Sequence, residues 1–150
     1  EADVAGSVAG RGFVVPRVEG RRITAVTWSS NKFAGRTPPG MALLRAFVGR
    51  DGRQEDAFLP EQEIIDLVRA ELDEIMGINA GPRWARVFRW PEAMPQYQVG
   101  HLERLNQLDL LLAKHPRLAI TGAAYRGVGI PDCISNANAA AASLLQRLDA

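Results

Sequence analysis

The stretch from Leu118 to Leu148 limits the fold of this chain more than any other. Leu118-Ala-Ile-Thr121 is a short apolar run of strand type. Gly122 to Gly129 is a loop with glycine at 122, 127 and 129, and an alanine-rich run from Ile130 to Leu148 reads as a helix. A buried strand, a glycine loop and a helix start together aim backbone N–H groups and the positive end of a helix dipole at an anionic ligand. Gly127 and Gly129 carry no side chain to hold a flat ligand away. Pro131 suits the first helical turn, and the small residues Ala137 and Ala139 to Ala142 let the helix pack closely on a neighbour. Glycines alone do not separate such a site from an ordinary strand–helix turn that needs a positive φ. The loop has no Gly-Lys-Ser/Thr ending, which argues against a nucleoside triphosphate loop.

Upstream, Phe13 to Val15, Ile23 to Ser29 and Ala42 to Val48 are rich in Val, Ile, Thr, Trp and Phe, the types that suit half-buried strands. Glu19-Gly20 marks a hairpin tip, Asn31 to Gly40 a loop, and Gly49 to Gly52 a tight charged turn, so the three strands are expected to form an antiparallel meander. From Pro60 to Met76, Ile64, Val68, Leu72 and Ile75 recur at helical spacing, widened by Ile65 and Met76. Pro60 suits the first turn of this helix, Glu61 and Glu63 suit its positive end, Gly77 suits its C-cap, and Leu59 is a poor N-cap. Trp84 to Trp90 reads as a further strand, with Trp84, Arg86, Phe88 and Trp90 on one face and Arg83, Ala85, Val87 and Arg89 on the other. Leu102, Leu105, Leu108 and Leu112 mark a second helix that stops before Pro116.

Beyond these patterns, Gly122-Ala-Ala-Tyr-Arg-Gly-Val-Gly-Ile-Pro-Asp-Cys-Ile134 resembles the flavin-contacting segment of the oxygen-dependent protoporphyrinogen and coproporphyrinogen III oxidases. Arg89-Trp90-Pro91, Met94-Pro-Gln-Tyr97 and Gly100-His101-Leu102 resemble the same family in the same order. Phe13-Val-Val-Pro16 and Leu43-Leu-Arg-Ala-Phe47 do so more loosely. The resemblance covers nearly the whole chain. It implies an α+β fold: an antiparallel strand meander of a substrate-binding domain with amphipathic helices over residues 1–90, then a strand–glycine loop–helix piece of an FAD-binding domain over 91–150.

The same resemblance implies FAD as cofactor, a porphyrinogen and O2 as reactants, and hydride transfer from a meso carbon to flavin N5, with peroxide formed on reoxidation. It would set Gly127, Val128, Gly129 and Ile130 against the isoalloxazine ring, with Trp90 packed beside it and the helix at Pro131 pointing to N1 and the C2 carbonyl. The cofactor carries such chemistry, so no side chain is assigned as catalytic. Family members begin with a Gly-x-Gly-x-x-Gly turn for the pyrophosphate. None follows a strand here, and the chain starts at Glu1 without methionine. The start suggests an excised fragment or a processed chain, the absent turn points to a missing N-terminal part of the same polypeptide, and the piece alone is expected to be inactive.

The remaining residues support blander readings. Asp132 and Cys133 fall in a first helical turn, where an acid pairs with the dipole and a cysteine fills space. Tyr125 and Arg126 are loop residues able to reach substrate or a facing domain. His101 and His115 have no metal-pair spacing and read as surface or capping residues, and no metal site is expected. A formal net charge of +1 with no basic block disfavours a nucleic-acid partner. The single cysteine fits a reducing compartment, so a cytoplasmic location is expected, with membrane contact, if any, peripheral. Three competing readings stand beside the leading one. They are a related flavin amine oxidase, a non-enzymatic module using Arg83 to Trp90 as a stacking platform, and a half-structure that folds by forming a homodimer.

Overall fold

The computed structural model describes residues 10–148; residues 1–9 and 149–150, the outer ends of the two expected domains, lie outside the described part. The chain divides into two compact units, the first ending at Arg89 and the second beginning at Trp90. Helices plus a small antiparallel sheet make it an α+β chain.

In the first unit, β1 (Gly12–Val14), β2 (Ile23–Trp28) and β3 (Leu44–Val48) form the expected meander, antiparallel in the order β1-β2-β3. Phe13 faces Val26, and Trp28 faces Leu44. A register shift between Ile23 and Ala25 inserts one residue into β2. This bulge lets Ile23 and Val26, three apart, share the core face with Trp28. The strand ends at Trp28 rather than Ser29, because Ser29–Lys32 forms a single helical turn, α1, inside the segment read as strand end and loop. Leu43 fixes that turn: its carbonyl accepts from the Ser29 N–H at 2.8 Å and its N–H donates to Ser30 Oγ at 3.2 Å. β3 then begins at Leu44, later than Ala42. The expected charged turn closes by reciprocal backbone hydrogen bonds between Arg50 and Arg53.

Helix α2 (Glu61–Met76) lies under the sheet, and Leu67 joins Val15, Ile23, Val26 and Trp28 in one buried cluster. Phe13 meets Trp28 edge to face at 5.8 Å. Side chains of this size contribute about 1.5–3 kcal/mol each on full burial. The cap position is Pro60, one residue later than expected, and it offers no side-chain cap. Gly77, at φ 67, ends the helix as expected; its N–H donates to the Asp73 carbonyl, and that of Ile78 to the Leu72 carbonyl. The inward stripe keeps most of the expected one, with Ile64 buried and Val68, Leu72 and Met76 packed partly buried against the cluster, but it also takes in buried Leu67 and Glu71 and loses exposed Ile75. Glu71 is half satisfied in this position: Oε1 accepts from the Arg22 backbone N–H at 3.1 Å, while buried Oε2 makes no hydrogen bond and has only the Arg21 guanidinium at 3.9 Å.

Trp84 to Trp90 is not a strand. The segment has no regular secondary structure and pairs with no strand among the described residues; side chains hold it instead. Glu61 Oε1 accepts from the Val87 N–H at 3.1 Å, and the Arg89 guanidinium donates to the carbonyls of Leu59 at 2.6 Å and Ala57 at 3.3 Å. Alternation and residue type were right for a strand; a strand also needs a partner.

In the second unit, α3 (His101–Leu112) and α4 (Ile130–Leu148) flank the loop region. Leu118 to Thr121 forms no strand and pairs with none among the described residues, so the expected strand–loop–helix piece is here only loop and helix. Among the described residues no helix is long and apolar enough to cross a membrane.

Candidate functional site: the clamped loop before helix α4

The loop 122–129 is held by side chains that consume its carbonyls. Tyr97 Oη donates to the Ala123 carbonyl at 2.5 Å, and His101 Nε2 lies 2.7 Å from the Tyr125 carbonyl. The carbonyl oxygen is an acceptor only, so Nε2 carries the proton. The two rings stack, 4.1 Å apart and 9° from parallel, as one brace. From α4, Asn136 Nδ2 donates to the Arg126 carbonyl, and the Cys133 thiol lies 3.5 Å from the Gly127 carbonyl. The Arg126 side chain reaches Asp109 on α3 at 2.5 Å. With these carbonyls occupied, what remains for a ligand is the N-terminal end of α4 and the apolar side chains around it. Val128 is 50% exposed and Ile130 76% exposed.

The glycines have a local cause. Gly127 sits at φ +79, and a Cβ there would come within 2.5 Å of Asp132 Cβ. At Gly129 an added Cβ would meet Asp132 Oδ2 at 2.8 Å. The Asp132 side chain folds back into the space that these two residues leave open, so part of the room attributed to a flat ligand serves the first helical turn.

Gly127, Val128, Gly129 and Ile130 thus stand together at the start of α4. Trp90 is 78% exposed and makes no hydrogen bond or ring contact with another described residue. His101 differs from the surface or capping role expected of it, being half-buried and bonded across the unit; His115 is exposed. Cys133 and Asn136 share the packed face of α4 with Ala140 and Leu144, while Ala137, Ala139, Ala141 and Ala142 are exposed. Among the described residues no group of His, Cys, Asp or Glu is placed to hold a metal ion. The sequence reading missed Asn136 and Asp109. It registered Tyr97 only as part of a motif and His101 as a surface or capping residue, although Gly100 before a helix and an aromatic four residues ahead of a histidine were visible.

The residues present suit a flat ring with an electron-rich edge. The exposed Val128 and Ile130 offer apolar contact, and the end of a 19-residue helix offers positive potential.

Comparison with known proteins gives a consistent set. The family model described as flavin containing amine oxidoreductase matches residues 11–145. A coproporphyrinogen III oxidase of Bacillus subtilis is 42% identical over 93% of this chain and 30% of its own length. A coproporphyrinogen III oxidase of Staphylococcus aureus is 37% identical over 99% of this chain and 32% of its own. A crystal structure from Exiguobacterium sp. 255-15, assigned as a protoporphyrinogen oxidase, superposes with a TM-score of 0.78 at 31% identity. It covers 96% of this chain and 32% of the other. The chain therefore spans about a third of the length of the relatives it matches.

Proposed function

The chain belongs to the flavin-containing amine oxidoreductases, and on that premise we propose that it is part of a longer FAD-dependent porphyrinogen oxidase, with coproporphyrinogen III as substrate and O2 as acceptor. The observation that carries this reading is the braced loop Gly122 to Gly129 at the head of α4, which leaves Val128, Ile130 and the helix end open. The identities to two coproporphyrinogen III oxidases support the choice of substrate.

In this reading the first unit belongs to the substrate-binding domain and the second to the FAD-binding domain. A cytoplasmic location, with membrane contact only peripheral, belongs to the same proposal. When bound, the flavin supplies a two-electron acceptor that oxygen regenerates. The chain's own part is positional. Gly127, Val128, Gly129 and Ile130 would lie along the ring with Trp90 packing near it, and α4 would direct its positive end at the edge where negative charge collects on reduction. Tyr97 and His101 hold the loop so that this edge is met without rearrangement.

The test is turnover of coproporphyrinogen III with FAD in air, followed by porphyrin fluorescence. The expected result is oxidation by the longer polypeptide carrying this chain and none above the protein-free rate by residues 1–150 alone. Absence of turnover by the longer polypeptide with bound FAD would overturn the assignment; turnover by residues 1–150 would overturn the claim that the piece is insufficient.

A further inference from the structure

The first unit holds a cavity of about 260 Å3 whose charged lining consists of Arg17, Arg21, Arg50, Arg53 and Glu55. These arginines come from two separate turns. Arg17 and Arg21 lie within the β1–β2 connection, and Arg50 and Arg53 close the turn after β3. Antiparallel pairing sets Ile23 opposite Val48, so the start of β2 lies beside the end of β3 and the two turns become neighbours. The sheet register is what gathers the cations.

Four guanidinium groups around one cavity repel one another unless anions balance them. Arg21 is balanced by its ion pair with Glu74, with Glu71 at 3.9 Å. The others are not balanced to that degree. Arg50 donates to the Ile23 carbonyl at 3.3 Å and Arg53 to the Gly20 carbonyl at 3.2 Å. These bonds fix the two side chains without cancelling their charge. Glu55 is 3.7 Å from Arg53, and the Arg17 side chain makes no ion pair or hydrogen bond with another described residue. Within the lining itself, Arg17, Arg50 and Arg53 thus have one carboxylate, Glu55, among them, with Asp56 near Arg53 from outside the cavity, and two of the three are held by backbone carbonyls. Such forks suit an oxyanion that can accept several N–H groups at once. Val18, next to Arg17, is 91% exposed.

We propose that this cavity binds a multivalent phosphate group. The chain's net charge of +1 fits a small anion better than a long polyanion. The phosphate comes either from a soluble diphosphate or from an anionic lipid headgroup, with Val18 in the second case entering the membrane surface. The inference does not depend on the flavin reading.

Calorimetric titration of the protein with pyrophosphate, and co-sedimentation with vesicles of phosphatidylglycerol or of phosphatidylcholine, test it at low salt. The expected result is binding that falls about tenfold or more in the Arg17→Gln/Arg53→Gln variant. It should be unchanged in Arg83→Gln/Arg86→Gln, whose arginines lie outside the cavity. Arg17→Gln alone removes a side chain with no partner to lose, and so reads binding apart from folding. Loss of pyrophosphate binding in the variants identifies a soluble ligand. Binding to phosphatidylglycerol vesicles alone, lost in the same variants, identifies a lipid headgroup. Binding to neither, or equal binding by the wild type and both cavity variants, overturns the proposal.

Discussion

Helices α2 and α4 are both long and both carry apolar side chains at helical spacing, yet α2 buries Ile64, Leu67 and Glu71 while α4 buries no residue at all. The contrast extends to the units around them. The first encloses Val15, Ile23, Val26, Trp28 and Leu67 in one cluster; the second has only Leu105 buried among its described residues, and Ile134, Leu145 and Leu148 stand exposed along α4. What differs is the presence of a sheet. In the first unit β1, β2 and β3 present a continuous apolar face to α2. In the second, Leu118 to Thr121 finds no described strand to pair with, and polar clamps organise the loop instead. The two units therefore hold their shape by different means, packing in one and directed hydrogen bonds in the other.

The largest effect expected from this difference is at Trp28. Trp28→Ala should cost about 3–5 kcal/mol, because a buried ring with an edge-to-face partner leaves a cavity the sheet cannot close. Leu145→Ala on α4, 61% exposed, should stay within about 0.5 kcal/mol. Denaturant unfolding measures both, and comparable losses would show that α4 is packed as tightly as the sheet, breaking the contrast.

The packed unit was also the more legible one. Its three strands could be read because β-branched and aromatic residues cluster where half-buried strands need them, and its helix because a period close to 3.6 is visible in a single line of sequence. Periodicity did not reveal that Glu71, rather than Ile75, faces inward, since that follows from the Arg22 backbone N–H, which the sheet brings to it. Trp84 to Trp90 and Leu118 to Thr121 misled for a related reason, because residue type reports suitability for a strand and pairing is a property of the partner. At the loop, the motif Gly122 to Ile134 was legible as a motif. The brace was not, since Tyr97 and His101 stand 26 and 24 residues before the carbonyls they hold.

A second, smaller effect sharpens the comparison through pH. The first unit contains directed polar contacts as well, and in one of them Arg22 grips Asp56 through two hydrogen bonds, 3.1 and 2.5 Å long. The hydrogen bond from Arg22 holds the Asp56 carboxyl below its ordinary value of 3.8, against the opposing pull of desolvation. A depressed folded value means that this contribution is fully present above the unfolded value, near pH 4, and is lost as pH falls through the folded one. Asp56→Asn should lower stability by about 1–3 kcal/mol at pH 7 and flatten the loss seen in acid below pH 4. Urea midpoints measured from pH 7 to pH 2.5 check it. The same acid slope in wild type and variant would mean that Asp56 contributes no linkage.

The smallest effects lie in the loop and separate two reasons for a glycine. Gly127→Ala must adopt a left-handed φ and also meet Asp132 Cβ, an atom that every residue but glycine brings; about 1–2 kcal/mol of local stability should be lost. Asp132→Ala keeps that Cβ and should not restore it. Gly129 is different: its φ is ordinary, and the nearest obstacle is Asp132 Oδ2, the far end of a side chain. Gly129→Ala should cost less, and Asp132→Ala should relieve it. Amide exchange across residues 123–133 reads both pairs, since the change is confined to a segment held by its own clamps. Rescue of both glycine variants by Asp132→Ala would mean that Asp132 alone dictates the glycines. Rescue of neither would mean that they answer to backbone conformation or to a ligand at the end of α4, and not to the carboxylate folded beneath the loop.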